Sequence, residues 1–158
     1  MQIISRRTPL LFNKWFPCIV AVSKKLNMTL EEITYKINGC AMQIHNTLGT
    51  GFQELIYQRC LAIELERVGL GFAREIEQAI YYNSFDVGTR RADFIVEQDV
   101  LVEIKALVNL EYVHLAQTKN YLTAYNLPIG LLINFGSTSL QFKKVFNSNK
   151  SYNKSDQI

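Results

Sequence analysis

The chain lacks several features that would assign it quickly. No apolar run approaches the ~18 residues needed to cross a bilayer; the longest, Trp15 to Val22, is eight residues and is broken by Pro17. The sequence therefore gives no reason to expect a membrane. The cysteines, Cys18, Cys40 and Cys60, form no C-x-x-C pair and no spacing suited to zinc. Cys40 and Cys60 fall within helical patterns and are expected as small core residues. Without a disulfide framework a reducing compartment is the natural setting, and the expected location is cytoplasmic. Internal repeats and low-complexity tracts are also missing.

Acidic residues are absent from one part of the chain. Residues 1–27 carry Arg6, Arg7, Lys14, Lys24 and Lys25 and no acid. The remainder holds 12 basic and 14 acidic residues, so the overall charge of +3 belongs to this leader. A nucleic-acid role for the body must then rest on specific residues, not on net charge.

What is present fits one globular domain. At 158 residues, 48% hydrophobic and 20% charged, the chain is neither disordered nor collagen-like. The leader, with Pro9 and Pro17, keeps no helical or strand period. It reads as a disordered leader, as an export signal, or as sequence upstream of a natural start at Met28. Ser5-Arg6-Arg7 resembles a twin-arginine start and Ala21-Val22-Ser23 a cleavage site, but the apolar stretch is short and holds Pro17. The third reading is preferred, because ordered patterning begins at Met28. The expected organisation is a leader over 1–27, a domain over 28–147 and a frayed polar tail over 148–158.

Thr29-Leu30-Glu31-Glu32 has the form of a capping box. Ile33, Ile37, Ala41, Ile44 and Leu48 then recur at helical spacing, up to Gly49 and Gly51. A second helix is expected from Gln53 to Val68, burying Leu55, Ile56, Cys60, Ile63 and Leu65. Strands follow at Glu75–Tyr82 and Phe85–Val96, joined by an Asn83-Ser84 turn, the second interrupted near Gly88. Further strands are expected at Val100–Ile104, Ile129–Asn134 and Leu140–Phe146, with a helix at Leu110–Tyr125. The order α-α-β-β-β-α-β-β describes an α/β (α+β mixed-sheet) fold with flanking helices.

Chemistry concentrates between Arg91 and Lys105. Glu103 and Lys105 lie at i and i+2 in an apolar strand, so they share a face. Alone, the pair would suit a half-exposed edge strand with a cross-strand ion pair. Asp93 changes that. If Glu97-Gln98-Asp99 is a three-residue loop, Val96 faces Val100 and Asp93 faces Glu103, so that Asp93, Glu103 and Lys105 converge. A two-residue loop would pair Phe94 with Glu103 and turn Asp93 away. Two converging carboxylates suit a hard divalent cation such as Mg²⁺. A lysine beside them can orient water and stabilise charge developing on a phosphate. Together they point to metal-assisted phosphodiester hydrolysis.

Asp93-x9-Glu103-x-Lys105 resembles the signature of the PD-(D/E)XK nuclease superfamily. Gly51-Phe52-Gln53-Glu54-Leu55-Ile56-Tyr57 is similar to the motif of its GxxExxY branch. The likeness runs through His45, Tyr82, Arg91-Ala92-Asp93, His114, Gln117, Asn120-Tyr121-Leu122 and Asn134-Phe135-Gly136, covering about residues 30 to 146. Ala92 stands where the superfamily name has proline. The resemblance implies a restriction-endonuclease-like core, with Asp93 and Glu103 as metal ligands and Lys105 as the catalytic lysine. It implies Glu54 as a further acid at the metal. Gln117 and Tyr121, at i and i+4 on one helix face, are similar to the Q-x-x-x-Y element of recombination-type exonucleases.

Bland readings stand beside these. Glu54 also suits a helix N-terminus as a solvated acid; Tyr57 and Tyr121 suit packing; His45 and His114 suit structural roles. Arg90 and Arg91 could hold phosphate or be solvated, and Lys143 and Lys144 are expected in solvent. The expected function is an Mg²⁺-dependent DNA nuclease, with Mn²⁺ as a possible substitute. The alternative is a catalytically silent nuclease-like module that binds nucleic acid or a protein partner. A slightly acidic body without a separate DNA-reading domain would also be served by a homodimer.

Overall fold

The structure, a computed structural model, describes residues 28–148. The leader over 1–27 and the tail beyond residue 148 lie outside the described residues.

Helix α1 (Leu30–Leu48) starts at the expected capping box. Glu32 N–H donates to Thr29 Oγ1 at 3.2 Å and Thr29 N–H to Glu32 Oε2 at 2.7 Å. Its buried stripe is Ile33, Ile37, Cys40, Ala41 and Ile44, with Thr34 tucked beside it. Gly49, at φ 69°, ends the helix in a conformation that favours glycine.

Helix α2 (Glu54–Arg67) forms where expected but is turned about its axis. Tyr57, Leu61, Ala62 and Leu65 are buried, whereas Leu55 and Ile63 are exposed and Cys60 is only partly covered. Tyr57 sets this rotation. Its ring stacks on Phe135 with centroids 4.5 Å apart, and its hydroxyl donates to Gly49 O at 2.9 Å. The buried row is thus 57, 61, 65, one face of a helix led by a tyrosine that a purely aliphatic reading passes over.

Strands β1 (Phe72–Tyr82), β2 (Phe85–Val96), β3 (Val100–Lys105), β4 (Ile129–Asn134) and β5 (Gln141–Phe146) form a five-stranded sheet in the order β1-β2-β3-β4-β5. β1 begins earlier than the Glu75 expected from the pattern, because Phe72 pairs with Val96 and meets Phe94 edge-on. Asn83 and Ser84 both take positive φ, the hairpin turn that follows strand twist. The register shifts between Ile80 and Tyr81, opposite Gly88, where the sequence suggests an interruption. Helix α3 (Tyr112–Ala124) carries the chain from β3 to β4, which pair in parallel. The element order and mixed sheet are those expected.

α1 and α2 cover one sheet face, on a core of Phe94, Val96, Val100, Val102, Ile104, Ile129, Leu131 and Ile133. On the other face, Ala92, Leu101, Leu122 and Leu127 form a smaller cluster with α3. β3 therefore runs through the middle of the sheet, buried on both faces. The edge-strand reading of Glu103 and Lys105 does not hold. Lys144 is not simply solvated either: its ammonium pairs with Glu31 at 2.9 Å, joining β5 to α1.

Candidate active site

The loop Glu97-Gln98-Asp99 has three residues, and Val96 faces Val100 as the converging arrangement requires. The β2–β3 ladder continues through Ile95–Leu101 and Phe94–Val102 and then stops. There the carboxylate of Asp93 takes over from the backbone. Ile104 N–H donates to Asp93 Oδ2 at 2.7 Å. On β1, opposite Asp93, Glu75 adopts φ 52°, a left-handed conformation rare for a residue in a strand. Packing changes sides at this kink, with Phe94 in the α1/α2 core and Ala92 in the α3 cluster.

A second group holds Asp93. Gln58 Nε2, on α2, donates to Asp93 Oδ1 at 2.8 Å. Both oxygens of the carboxylate therefore have donors, which fixes its plane. Sequence reading missed Gln58. It directly follows Tyr57 and lies one helical turn beyond Glu54, so the i, i+4 relation to Glu54 was the available signal.

Glu103 is 3% exposed, and its Oε1 is buried without a hydrogen-bond partner. Burial, and then the neighbouring Asp93 charge, push its carboxyl up to about 8, against the pull of Lys105 and of the Asp93 backbone N–H. Asp93 is raised as well, mainly by burial, with the Ile104 N–H bond and Lys105 opposing and Glu54 adding to the rise. Asp93, Glu103, Lys105 and Glu54 thus lie within one another's electrostatic reach.

Glu54 opens α2, and its Oε1 accepts from Ala106 N–H at 3.4 Å, just past the end of β3. The same stretch of backbone is clamped from β4. Asn134, fully buried, accepts from Leu107 N–H at 2.9 Å and donates to Leu107 O at 2.8 Å, while Phe135 N–H donates to Lys105 O at 2.8 Å. A Cβ on Gly136 would lie 2.4 Å from Leu107 N, so only glycine allows this approach. Asn134-Phe135-Gly136 therefore holds the segment that follows Lys105.

On α3, Gln117 Nε2 donates to Tyr121 Oη at 3.2 Å, and both side chains line a cleft with Arg90. Tyr125 sits next along the helix, edge-on to Tyr121, and its hydroxyl receives Ala92 N–H and donates to Ile76 O. The histidines take structural places. His45 Nε2 lies 3.0 Å from Ser137 O, and His114 Nδ1 accepts from Glu111 N–H at the start of α3.

Among the described residues, no three or more His, Cys, Asp or Glu side chains gather into a ready metal cage. Asp93 and Glu103 nonetheless suit a hard cation. Glu103 offers an acceptor with no donor, and Mg²⁺ is commonly held by one or two carboxylates with water completing its shell.

A family model described as the PD-(D/E)XK nuclease superfamily matches residues 31–145. The chain belongs to the PD-(D/E)XK nuclease superfamily. Its helices and five-stranded mixed sheet are the restriction-endonuclease-like fold of that superfamily. No curated protein matches the chain. A solved chain titled "Crystal structure of SSO0001" is similar at 17% identity and a TM-score of 0.42. The alignment covers 68% of this chain and 61% of that one, so this superfamily member spans less than two thirds of its length.

Proposed function

We propose that the chain is a metal-dependent nuclease acting on DNA, from the GxxExxY branch of the superfamily, with residues 28–147 as its nuclease-like domain. One observation carries the reading: two carboxylates, Asp93 and Glu103, meet at the end of a buried central strand beside Lys105, and Glu103 Oε1 has no donor. A buried, unpaired carboxylate oxygen is costly unless a cation or proton meets it.

In this reading Asp93 and Glu103 hold Mg²⁺, or Mn²⁺ in its place. Once bound, the ion supplies positive charge at the scissile phosphate and lowers the pKa of a coordinated water. Lys105, on the same face of β3 as Glu103, orients the attacking water and stabilises negative charge on the phosphate oxygens. Gln58 and Ile104 N–H keep Asp93 in its orientation. Glu54, at the start of α2, would be the further acid, near enough for its charge to be felt at Asp93 and Glu103. Gln117 and Tyr121 present an amide and a phenol to the backbone of the strand being cut.

The test is cleavage of linear, circular, single- and double-stranded DNA, and of RNA, in Mg²⁺, Mn²⁺ or EDTA. Cleavage in Mg²⁺ is expected, with none in EDTA and a loss of two or more orders of magnitude, about 100-fold at least, in Lys105→Ala. Full activity in Glu103→Ala would overturn the mechanism.

A specific observation keeps a second reading in play. Among the described residues Glu54, Asp93 and Glu103 are not drawn into one three-ligand cage, and Glu54 instead accepts from Ala106 N–H. A catalytically silent module binding nucleic acid or a protein partner would have that property. Calorimetric titration with Mg²⁺ and Mn²⁺ separates the two, since absence of binding favours the silent module.

A further inference from the structure

β3 pairs with β2 only at Phe94–Val96, so the rest of the β1–β2 hairpin is paired only with itself. This arm leaves the sheet at Asp93 and runs on for eight residues to Phe85, roughly 25 Å at strand rise. Its inner part is docked on α3. Gln78 Nε2 donates to Ala124 O at 2.6 Å, and Arg90 donates to Asn120 O at 3.2 Å. Between arm and helix lies an open cleft lined by Arg90, Ile80, Gln117, Asn120 and Tyr121. Gln117 and Tyr121 are lining residues of this cleft and Asp93, Glu103 and Lys105 are not; its link to the carboxylates is Arg90, which stands three residues before Asp93 on β2.

The pairing register assigns the arm's two faces. Gln78 opposes Arg90, Ile80 opposes Gly88, and Tyr82 opposes Phe85; cross-strand partners share a face. The face docked on α3 thus carries Arg90, then Ile80 beside the bare Gly88, then Tyr82 and Phe85, and no acid. The acids of this stretch, Glu77 and Asp86, pair with Arg91 and Tyr81 on the opposite face. Two ion pairs form among the described residues, and neither involves Arg90, whose Nε is buried without a partner. Tyr82 and Phe85 are 69% and 74% exposed.

A cation at the mouth of a site followed by exposed aromatic rings suits an unpaired DNA strand. Its phosphates meet the guanidinium, and its free base faces stack on the rings. A duplex keeps its base faces inside the stack and offers the rings nothing comparable. We propose that the α3-facing side of the β1–β2 arm is a track for an unpaired DNA strand, with Arg90 on a phosphate beside the candidate site and Tyr82 and Phe85 stacking bases farther out. The inference rests on the nuclease reading for its substrate, and it restricts that substrate to DNA with a single-stranded segment.

The test uses the full chain and a short fluorescein-labelled DNA strand, read by anisotropy in EDTA, against a blunt duplex of the same sequence. The strand should bind more tightly than the duplex. The Tyr82→Ala, Phe85→Ala double variant should lose about 10-fold or more in strand affinity with little change for the duplex. Tyr82→Phe should retain binding, because the ring remains. Arg90→Gln should lower the slope of log affinity against log salt by about 0.7. Tyr35→Ala, an exposed tyrosine on α1, serves as the unchanged control. Circular dichroism confirms that each variant is folded.

Equal strand affinity in the double variant and the parent overturns the track, even if the parent cleaves DNA. Strand binding that depends on the arm in a protein that cleaves nothing upholds the track and overturns the nuclease reading. A double variant that changes only oligomeric state, with strand binding intact, makes the arm a contact between copies and also overturns the proposal.

Discussion

Glu103 should leave its mark on stability as well as on chemistry. Its carboxyl titrates near 8 in the folded chain and near its ordinary value of 4.5 once unfolded. Between those values the folded state keeps a proton that the unfolded state has released. Stability without metal should therefore fall as pH rises from about 4.5 to about 8, then level off. The raised Asp93 acts in the same direction. Thermal melts in EDTA across that range should show the fall in the parent and a much flatter curve in Glu103→Gln. Equal slopes would mean that Glu103 does not carry the proton. Added Mg²⁺ should stabilise the parent more at high pH than at low, since the ion takes the place of that proton. Gln58 gives a second test at this scale. Gln58→Ala removes the donor to Asp93 Oδ1 and should lower metal affinity or cleavage by about 10- to 100-fold, the usual effect of losing a group that orients a ligand. Unchanged cleavage and metal affinity would make Gln58 a packing residue only.

At the scale of elements, the site depends on how β2 is joined to β3. With Gln98 deleted, a two-residue loop of Glu97 and Asp99 keeps Val96 opposite Val100, whereas a three-residue loop of Glu97, Asp99 and Val100 moves Val96 to Leu101, pairs Phe94 with Glu103 and turns Asp93 away. Cleavage by the folded deletion is expected only in the first register; a deletion shown by amide exchange or cross-strand contacts to be slipped, yet active, would show that register does not set the site. Gly136→Ala tests the clamp behind Lys105. Its Cβ would meet Leu107 backbone at 2.4 Å, so a cost of about 1–3 kcal/mol in stability is expected by chemical denaturation. Much of this architecture was legible. The capping box at Thr29 and the Asn83-Ser84 turn follow from short-range chemistry, which a sequence states directly; the loop after Val96 did not, since two and three residues both fitted the sequence and only the Val96–Val100 pairing decides for three. The kink at Asp93 was not legible either. It arises because a side-chain oxygen replaces a ladder bond to Ile104, while Glu75 across the hairpin turns to positive φ, and neither leaves a pattern in one sequence. The face of α2 was misjudged for a related reason: the partner that orients Tyr57 is Phe135, 78 positions along the chain.

For the whole molecule, Glu54, Gln58, Asp93, Glu103 and Lys105 come from α2, β2 and β3, and converge only because the mixed sheet sets the ends of these elements together. The residue types were readable because carboxylates and a lysine are conspicuous within an apolar strand. Gln58 and Asn134 were not, because their work is to hold other groups. The proposed boundaries make a prediction of their own. Residues 28–158 should fold alone and melt within a few degrees of the full chain, since the described cores lie wholly within 28–148. A chain that fails to fold without residues 1–27 would make the leader part of the domain. The same deletion removes a charge of +5, so it should weaken salt-sensitive DNA binding while leaving cleavage at low salt intact.

The most direct test of the central claim is cleavage of a DNA panel, single-stranded, duplex and tailed, by the parent and by Lys105→Ala in Mg²⁺ and in EDTA. The parent should cleave in Mg²⁺ alone, with tailed or single-stranded DNA preferred, and Lys105→Ala should not cleave. Cleavage that survives EDTA or the Lys105 substitution, or a folded parent that cuts nothing on the panel, would contradict the claim.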